Sequence, residues 1–341
     1  MYSILRNLLF CLPAEASHNF ALTAMTVSQK LHLSGLLAAD TEGLATTKTV
    51  MGIEFPHIVG LAAGLDKNAD HVDALDALGF GFLELGTLTP RPQPGNPKPR
   101  MYRLASEQAI INRMGFNNKG IDHALENIRR RRGKGVLGIN IGKNFDTPVD
   151  QANDDYLIGL QKSYEFADYI TINISSPNTP GLRTLQFGDE LNSLLDALKE
   201  EQAKLEKEHG RYVPIAVKLA PDLSDAEISS CCASIKGRDI DGLIATNTTL
   251  DHSAVAKHRF GSEAGGLSGA PLTDLACEVI AKIRSEIGEG FPIIGVGGIM
   301  NGEQAAARLD AGADLLQIYS GFIYSGPGLI RDILIADKAG R

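Results

Sequence analysis

The sequence predicts an α/β fold, a (β/α)8 TIM-type barrel with a small N-terminal helical extension. Eight short apolar runs rich in β-branched residues are spaced along the chain, and amphipathic helical patterns lie between them. This alternation favours a closed parallel sheet surrounded by helices. The chain has 341 residues, enough for an extension and one such barrel, which takes about 250 residues. We expect residues 1–45 to form a helical pair and residues 46–341 to form the barrel.

The first residues predict two amphipathic helices. An apolar stripe with helical spacing ends at Pro13, and a second helical pattern runs to about Gly35. The helices could cap the barrel, or they could lie on a membrane surface and admit a lipid-soluble substrate. A cleaved signal peptide is disfavoured, because the apolar stretch 8–12 is shorter than the roughly 7 to 15 residues that such a peptide needs. The first stripe consists of Met1, Ile4, Leu5, Leu8, Leu9 and Leu12.

The barrel strands are expected where the apolar runs lie. In chain order these are residues 57–62, 82–86, 136–141, 169–174, 213–219, 242–246, 292–296 and 314–318. Among the helices between them, 189–207 carries a leucine stripe, and 225–235 follows a capping box formed by Ser224 and Glu227. A doubly wound sheet is the alternative architecture, but no G-x-G-x-x-G motif follows the first strand.

Composition excludes several partner classes. With 33 Lys and Arg against 41 Asp and Glu, the net charge is -8, and no basic cluster is interleaved with aromatics. A nucleic-acid partner is therefore not expected. The 4 cysteines show no C-x-x-C spacing and suit neither a disulfide framework nor a metal cluster. A reducing cytoplasm is the expected compartment, and no metal is expected.

Polar residues recur where the predicted strands end. A single asparagine there is usually a turn former, but recurrence at nearly every strand end predicts a site, because barrel enzymes carry their active sites at these ends. Lys218 lies inside an apolar strand, where an unpaired ammonium is costly unless an anion binds it. The recurring residues are Lys67, Thr87, Asn140, Asn173, Lys218, Thr246, Asn247 and Ser320.

Glycine-rich segments predict a phosphate site. Gly297 and Gly298 follow the seventh strand, and the segment 319–321 follows the eighth, where barrels commonly bind phosphate. The glycine-rich turn 265–269 could be a flexible loop or a third wall of that site. A phosphorylated cofactor is implied. The segment 173–179 carries two amides and three hydroxyls directly after a strand, which suits a planar, amide-rich substrate.

Five motifs, taken together and in order, resemble dihydroorotate dehydrogenases over essentially the whole chain. They are Ala62-Ala-Gly-Leu-Asp-Lys67-Asn, Asn112-Arg-Met-Gly-Phe116-Asn, Asn173-Ile-Ser-Ser-Pro-Asn178-Thr-Pro-Gly, Ala245-Thr-Asn-Thr248 and Ile294-Gly-Val-Gly-Gly-Ile299. The N-terminal helices and the serine at 176, where the soluble classes use cysteine, resemble the quinone-dependent class 2. The resemblance implies an FMN-binding barrel that oxidises (S)-dihydroorotate to orotate, with one FMN per chain.

The resemblance also implies residue roles. Ser176 would be the catalytic base with Thr179 as proton relay, and Lys67 would pair with the substrate carboxylate. FMN would be held by Ala63, Gly64, Lys67, Thr87, Asn140, Asn173, Lys218, Thr246, Gly269, Gly298, Tyr319 and Ser320. The substrate would lie among Lys67, Asn112, Arg113, Met114, Gly115, Phe116, Asn173, Asn178, Asn247 and Thr248. The quinone site would contain His18, Arg103 and Tyr319.

The expected partners are a membrane quinone and, through the N-terminal helices, the cytoplasmic side of the cell membrane, in de novo pyrimidine (UMP) biosynthesis. No obligate protein partner is evident. The proline-rich segment 89–100 is expected to be stiff and to fix Arg103 near the flavin edge, and the segment 180–187 could be a lid or a static linker.

Three alternative functions remain: a barrel aldolase or isomerase with Lys218 as Schiff-base lysine, a non-catalytic flavin-binding module, and a soluble fumarate- or NAD-linked enzyme.

Overall fold

The N-terminal extension consists of two helices packed against the barrel. The computed structural model describes residues 2–340, so Met1 of the predicted stripe lies outside the described residues. Helix α1 spans Tyr2–Phe10 and helix α2 spans Ala14–Lys30, with Pro13 between them in an extended conformation. A short 3-10 turn follows at Ser34–Leu36. The predicted pair of helices is confirmed. No helix in the described part of the chain is long and apolar enough to cross a membrane.

A small hairpin closes the amino-terminal end of the barrel. Strand β1 (Lys48–Val50) pairs antiparallel with β2 (Ile53–Phe55). The fully buried ring of Phe55 lies 5.0 Å from Phe82 and 6.5 Å from Tyr169, both at the start of barrel strands. Sequence analysis did not predict this hairpin, because its strands are only three residues long.

Eight parallel strands form the predicted closed barrel. Their order around the barrel is β3, β4, β7, β8, β9, β10, β12, β13 and back to β3. Seven of the eight predicted runs contain one of them, and β4 extends two residues past its run of 82–86, so the predicted fold is confirmed. The remaining strands in chain order are β3 (Val59–Leu61), β4 (Phe82–Leu88), β5 (Met101–Leu104), β6 (Ala109–Asn112), β7 (Val136–Ile141), β8 (Tyr169–Asn173), β9 (Ile215–Leu219), β10 (Gly242–Ala245), β11 (Gly266–Gly269), β12 (Ile293–Val296) and β13 (Leu315–Ile318).

Helices connect and surround these strands. The predicted helix 189–207 spans 188–209, and the capping box of Ser224 and Glu227 forms both of its hydrogen bonds at the start of the helix 225–236. The helices in chain order are α3 (Val72–Asp76), α4 (Ile121–Arg129), α5 (Ala152–Ser163), α6 (Gly188–His209), α7 (Asp225–Lys236), α8 (Thr273–Ile287), α9 (Gly302–Asp310), α10 (Ser320–Ser325) and α11 (Gly328–Gly340).

A second, antiparallel sheet of β5, β6 and β11 stands at the carboxyl ends of the barrel strands. The segment 265–269, expected as a glycine-rich turn, contributes strand β11 to it, with Gly266 opposite Asn112 and Gly269 opposite Ala109. Glycine is needed there for close packing, because an added Cβ would collide with Thr248 at Gly266 and with the main chain of Gln108 at Gly269. The expectation of a turn is therefore wrong.

Candidate active site

A large cavity, here called the main cavity, opens between the carboxyl ends of the barrel strands and the small sheet. It holds about 1030 Å³ of space, including its mouth. Nearly all residues expected at a cofactor and substrate site line it. They are Ala63, Gly64, Lys67, Thr87, Asn112, Met114, Gly115, Phe116, Asn173, Ser176, Asn178, Lys218, Thr246, Asn247, Thr248, Gly269, Gly298, Tyr319 and Ser320.

One end of the main cavity offers free donors. The backbone amides of Gly297 and Gly298 donate to no protein acceptor within residues 2–340. Both residues have positive φ, 105° and 69°, so the turn takes a conformation that favours glycine. The hydroxyls of Ser268 and Ser320 lie 2.9 Å apart at the same end. This group of donors suits an anion with several oxygens.

Asn140 lies below the surface of the main cavity and binds two side chains that line it, those of Thr87 and Asn173. The Thr87 hydroxyl donates to Asn140 Oδ1 at 2.6 Å, and Asn173 Nδ2 donates to the same oxygen at 3.2 Å and to the Thr87 hydroxyl at 2.9 Å. Asn140 itself is fully buried and does not line the cavity. Its role in the structure is to orient the two side chains that do.

A buried carboxylate supports this floor. Glu84 on β4 is fully buried inside the barrel and accepts hydrogen bonds from Asn140 Nδ2 at 2.8 Å, the Tyr169 hydroxyl at 3.0 Å and Gln317 Nε2 at 2.7 Å. By occupying Asn140 Nδ2, it fixes the amide so that Oδ1 faces Thr87. Sequence reasoning missed Glu84 and Gln317, although a charged residue between two leucines of a buried strand was a usable signal.

Two lysines bring positive charge to the main cavity. Lys218 on β9 is buried, and within residues 2–340 its ammonium makes no hydrogen bond or ion pair. Burial lowers the pKa of Lys218, and the charge of Glu84 opposes that shift. Lys67 donates to the carbonyl of Gly64 at 2.5 Å. Burial lowers the pKa of Lys67 to about 8, against the opposing charge of Asp66. A bound anion would favour the ammonium form of both lysines against this effect of burial.

The segment after β8 brings Ser176 to the cavity wall. Ser176 is 6% exposed, and its hydroxyl oxygen accepts the amide of Asn178 at 3.2 Å. The hydroxyl of Thr179 is buried and has no partner in the described chain, but it does not line the cavity. A hydroxyl oxygen that accepts an amide hydrogen is stabilised as it gains negative charge.

The segment 180–187 contains a short helix next to the segment that carries Ser176. Residues Leu182–Gln186 form a 3-10 helix, in which Leu182 and Leu185 are buried. The guanidinium of Arg183 spans three neighbouring loops, with bonds of 3.1 Å to the carbonyl of Ser175, 2.7 Å to Asp222 and 3.0 Å to the carbonyl of Thr248. These contacts tie the segment to the loops that follow β8, β9 and β10.

The turn 112–116 contacts the segment after β8, and the side chain of one of its residues points away from the main cavity. Asn178 Nδ2 donates to the carbonyl of Asn112 at 3.2 Å, which joins this turn to the segment after β8. Arg113, expected at the substrate, does not line the cavity. Its guanidinium instead pairs with Glu263 at 2.8 Å and stacks 4.8 Å from the ring of Tyr102. The side chain is directed outward by this carboxylate.

A second cavity lies between the helical pair and the barrel and holds about 1110 Å³ of space, including its mouth. Its lining is mostly apolar and includes His18 and Arg103. The guanidinium of Arg103 lies 4.0 Å from the ring centre of Phe10 and donates to the carbonyl of Phe10 at 3.1 Å. Helix α1, and not the proline-rich segment alone, therefore fixes Arg103. Burial lowers the pKa of His18 to about 3, and the charges of Lys67 and His71 act in the same direction.

The two cavities share a wall. Gly64 and Lys67 line the main cavity, while Leu65 between them lines the second. The segment 318–323 divides in the same way, since 318–321 line the main cavity and 322–323 line the second. Tyr319, expected with His18 and Arg103, lines the main cavity, and its hydroxyl lies 3.4 Å from the carbonyl of Gly64. The two cavities thus lie on opposite sides of the segments 64–67 and 318–323.

Comparison with known proteins decides the family. The model of the dihydroorotate dehydrogenase family matches residues 45–336. The chain belongs to the dihydroorotate dehydrogenase family. It is 57% identical over 336 residues to a dihydroorotate dehydrogenase (quinone) of Marinobacter nauticus, with 98% of each chain covered. It is 54% identical to the protein of the same name from Ectopseudomonas mendocina, with 100% of each chain covered.

Solved structures agree with this assignment. A crystal structure of the Eimeria tenella dihydroorotate dehydrogenase in complex with ferulenol superposes with a TM-score of 0.86 at 37% identity, covering 96% of this chain and 92% of the other. The ligand-free form from the same organism gives 0.83 at 39% identity, with 93% and 95% covered. The predicted membership of the quinone-dependent class is confirmed by the relatives.

Members of this dehydrogenase family are in general flavin-dependent, and the main cavity has the features that a phosphorylated flavin requires. Free amides of Gly297 and Gly298 lie at one end, and an ammonium without a protein anion, Lys218, lies near the floor. Ser268, which sequence reasoning missed because it sits in a glycine-rich segment, adds a hydroxyl at the same end as the amides.

Proposed function

We propose that this chain oxidises (S)-dihydroorotate to orotate with one bound FMN, that a membrane quinone restores the cofactor, and that the reaction serves de novo pyrimidine (UMP) biosynthesis. The observation that carries the proposal is the wall that a polar, cationic cavity shares with an apolar one. A polar substrate and a lipid-soluble oxidant can then approach opposite sides of one cofactor. Residues 1–45 act as the quinone-access and membrane extension, and residues 46–341 act as the FMN-binding barrel.

FMN would lie along the main cavity with its phosphate at the free amides. When bound, FMN would accept the hydride that leaves C6 of dihydroorotate. Lys218 would direct its ammonium at the ring, where positive charge favours an electron-rich form. The phosphate would be held by Gly269, Gly298, Tyr319 and Ser320, and the remainder by Ala63, Gly64, Lys67, Thr87, Asn140, Asn173, Lys218 and Thr246, with Asn140 acting through its neighbours.

Dihydroorotate would bind above the ring, against the segments that cover the cavity. Lys67 would pair with its carboxylate, and the amides of Asn112, Asn178 and Asn247 would bind its ring edge together with Asn173 and Thr248. Met114, Gly115 and Phe116 would exclude water. The outward turn of Arg113 leaves only its main chain available to the substrate.

Ser176 would remove the proton from C5. Its burial and the amide of Asn178 at its oxygen support this assignment, because a serine needs a sheltered and organised environment to act as a base. Thr179 would relay the proton only after its hydroxyl turns toward Ser176, because in the described chain that hydroxyl is buried and makes no hydrogen bond. Family membership argues against the Schiff-base alternative for Lys218, and the quinone-named relatives argue against a soluble class.

The second cavity would admit the quinone past His18 and Arg103. Helix α1 keeps its apolar stripe exposed, with Ile4 at 70% and Leu8 at 66%, and Phe20 on α2 is 59% exposed. A helix pair that only capped the barrel would bury these side chains, so their exposure supports peripheral contact with the cytoplasmic side of the cell membrane.

We expect Ser176→Ala to slow the bleaching of flavin by dihydroorotate by a factor on the order of 10² to 10⁴, because positioned proton transfer is lost. Anaerobic stopped-flow absorbance measures this rate. Bound flavin and orotate affinity should be retained, and Ser163→Ala, the same change at a buried serine on α5 that does not line the cavity, should leave the bleaching step nearly as fast as in the unmodified enzyme. An unchanged rate in Ser176→Ala would remove this residue from the mechanism.

Orotate affinity should fall as pH rises through about 8, where Lys67 loses its proton in the ligand-free enzyme. If only the ammonium form binds the carboxylate, the dissociation constant rises about tenfold per pH unit above that value. Flavin absorbance during orotate titration at pH 6 to 10 measures it. Lys67→Met should bind weakly at every pH. The assignment fails if the unmodified and Lys67→Met enzymes show the same pH dependence.

Membrane contact predicts that Ile4→Glu combined with Leu8→Glu reduces cosedimentation with phospholipid vesicles by at least roughly tenfold, since two apolar side chains are lost from the interface. A matched control changes Leu250 and Ile335, also exposed, to Glu. The control has the same charge and should still cosediment. Equal binding by both variants would contradict the docking role of α1.

A further inference from the structure

Arg308 on α9 is a buried cation without a protein anion. Its side chain is fully buried, and only Nη2 has partners, the carbonyl of Thr273 at 3.0 Å and the carbonyl of Gly297 at 2.8 Å. Nε and Nη1 make no hydrogen bond within the described residues. The acidic groups that act on its charge, Asp274 and the thiol of Cys277, form neither an ion pair nor a hydrogen bond with it in residues 2–340. Such a charge is costly unless an anion compensates it.

The position of Arg308 is directly behind the free amides of the main cavity. Its guanidinium draws the carbonyl of Gly297 away from the cavity, and the hydroxyl of Thr273 holds the carbonyl of Gly298 at 2.7 Å. With both carbonyls held on the far side, the turn presents its amides to the cavity. An added Cβ at Gly298 would collide with the backbone of Thr273, so the turn packs too closely against Thr273 to accept a side chain at this position.

We propose that Arg308 is a positioning residue for the cofactor phosphate: it fixes the Gly297–Gly298 turn and supplies, through one layer of backbone, the positive charge that the phosphate neutralises. The inference rests on the FMN site proposed above. Arg308 does not touch the cavity, so it acts on the phosphate only through this turn and through its charge. Arg308 is therefore expected to affect the binding of the FMN phosphate and not that of the flavin ring.

The ratio of the dissociation constants of riboflavin and FMN isolates the phosphate contribution. Each full-length variant is stripped of flavin and titrated with both ligands, and flavin fluorescence reports binding. We expect Arg308→Met to lower the ratio about ten- to thirtyfold, because the variant loses one favourable charge interaction with the phosphate of FMN. Arg308→Lys, which keeps the charge, should retain most of the preference for FMN.

Arg284 is a matched control for structural loss. It also holds loop carbonyls, those of Gly288, Phe291 and Gly312, but at the opposite end of the barrel, and it has a carboxylate partner, Asp314, at 3.0 Å. Arg284→Met should destabilise the fold without changing the ratio. If Arg308→Met does not fold, as judged by circular dichroism, Arg308→Gln is titrated in its place.

The outcomes separate the two proposals. An unmodified enzyme that binds riboflavin as tightly as FMN would overturn the phosphate site itself. A strong preference for FMN that survives in Arg308→Met or Arg308→Gln would overturn the role of Arg308 alone. A fall in the ratio that Arg308→Lys reverses, and that Arg284→Met does not share, would support it.

Discussion

Closure of the barrel between β13 and β3 is the contact on which the rest of the structure depends. Leu316 pairs with Val59 and Ile318 pairs with Leu61. The last strand of the barrel is thus bonded to its first strand, although most of the chain lies between them in sequence. This pairing places the segments 62–67 and 318–323 side by side. Those segments form the wall between the main and second cavities. Without closure, neither the cationic cavity nor its apolar neighbour would exist.

Buried charge is the second organising feature. Glu84 is satisfied by three neutral donors inside the barrel, which lets a carboxylate remain buried without a salt bridge. Lys218 and Arg308 lack an anion in contact within residues 2–340. Acidic groups of the described chain act on these cations only without contact, and one anionic ligand in the main cavity would compensate both. This is why the electrostatics favour a cofactor that carries its own negative charge.

Sequence reasoning predicted the repeating part of the fold and most of the residues around the main cavity. Strand runs and polar strand ends are local signals, and barrel topology brings them together without further information. It failed where long-range packing decides. Strand β11 has the composition of a turn, yet its glycines are required by Thr248 and Gln108. Arg113 is directed outward by Glu263, 150 residues away, a partner that no local pattern reveals. Glu84 and Arg308 do not line the main cavity and belong to no recognisable motif, so sequence reasoning did not identify them.

The central claim is that one cofactor exchanges electrons with a polar substrate on one side and a lipid-soluble oxidant on the other. The most direct test records the visible spectrum of the purified protein under anaerobic conditions, first with dihydroorotate and then with a short-chain quinone. The account predicts a flavin spectrum that dihydroorotate bleaches and quinone restores. A flavin that dihydroorotate leaves unbleached, or one that is bleached but restored only by fumarate or NAD, would contradict it.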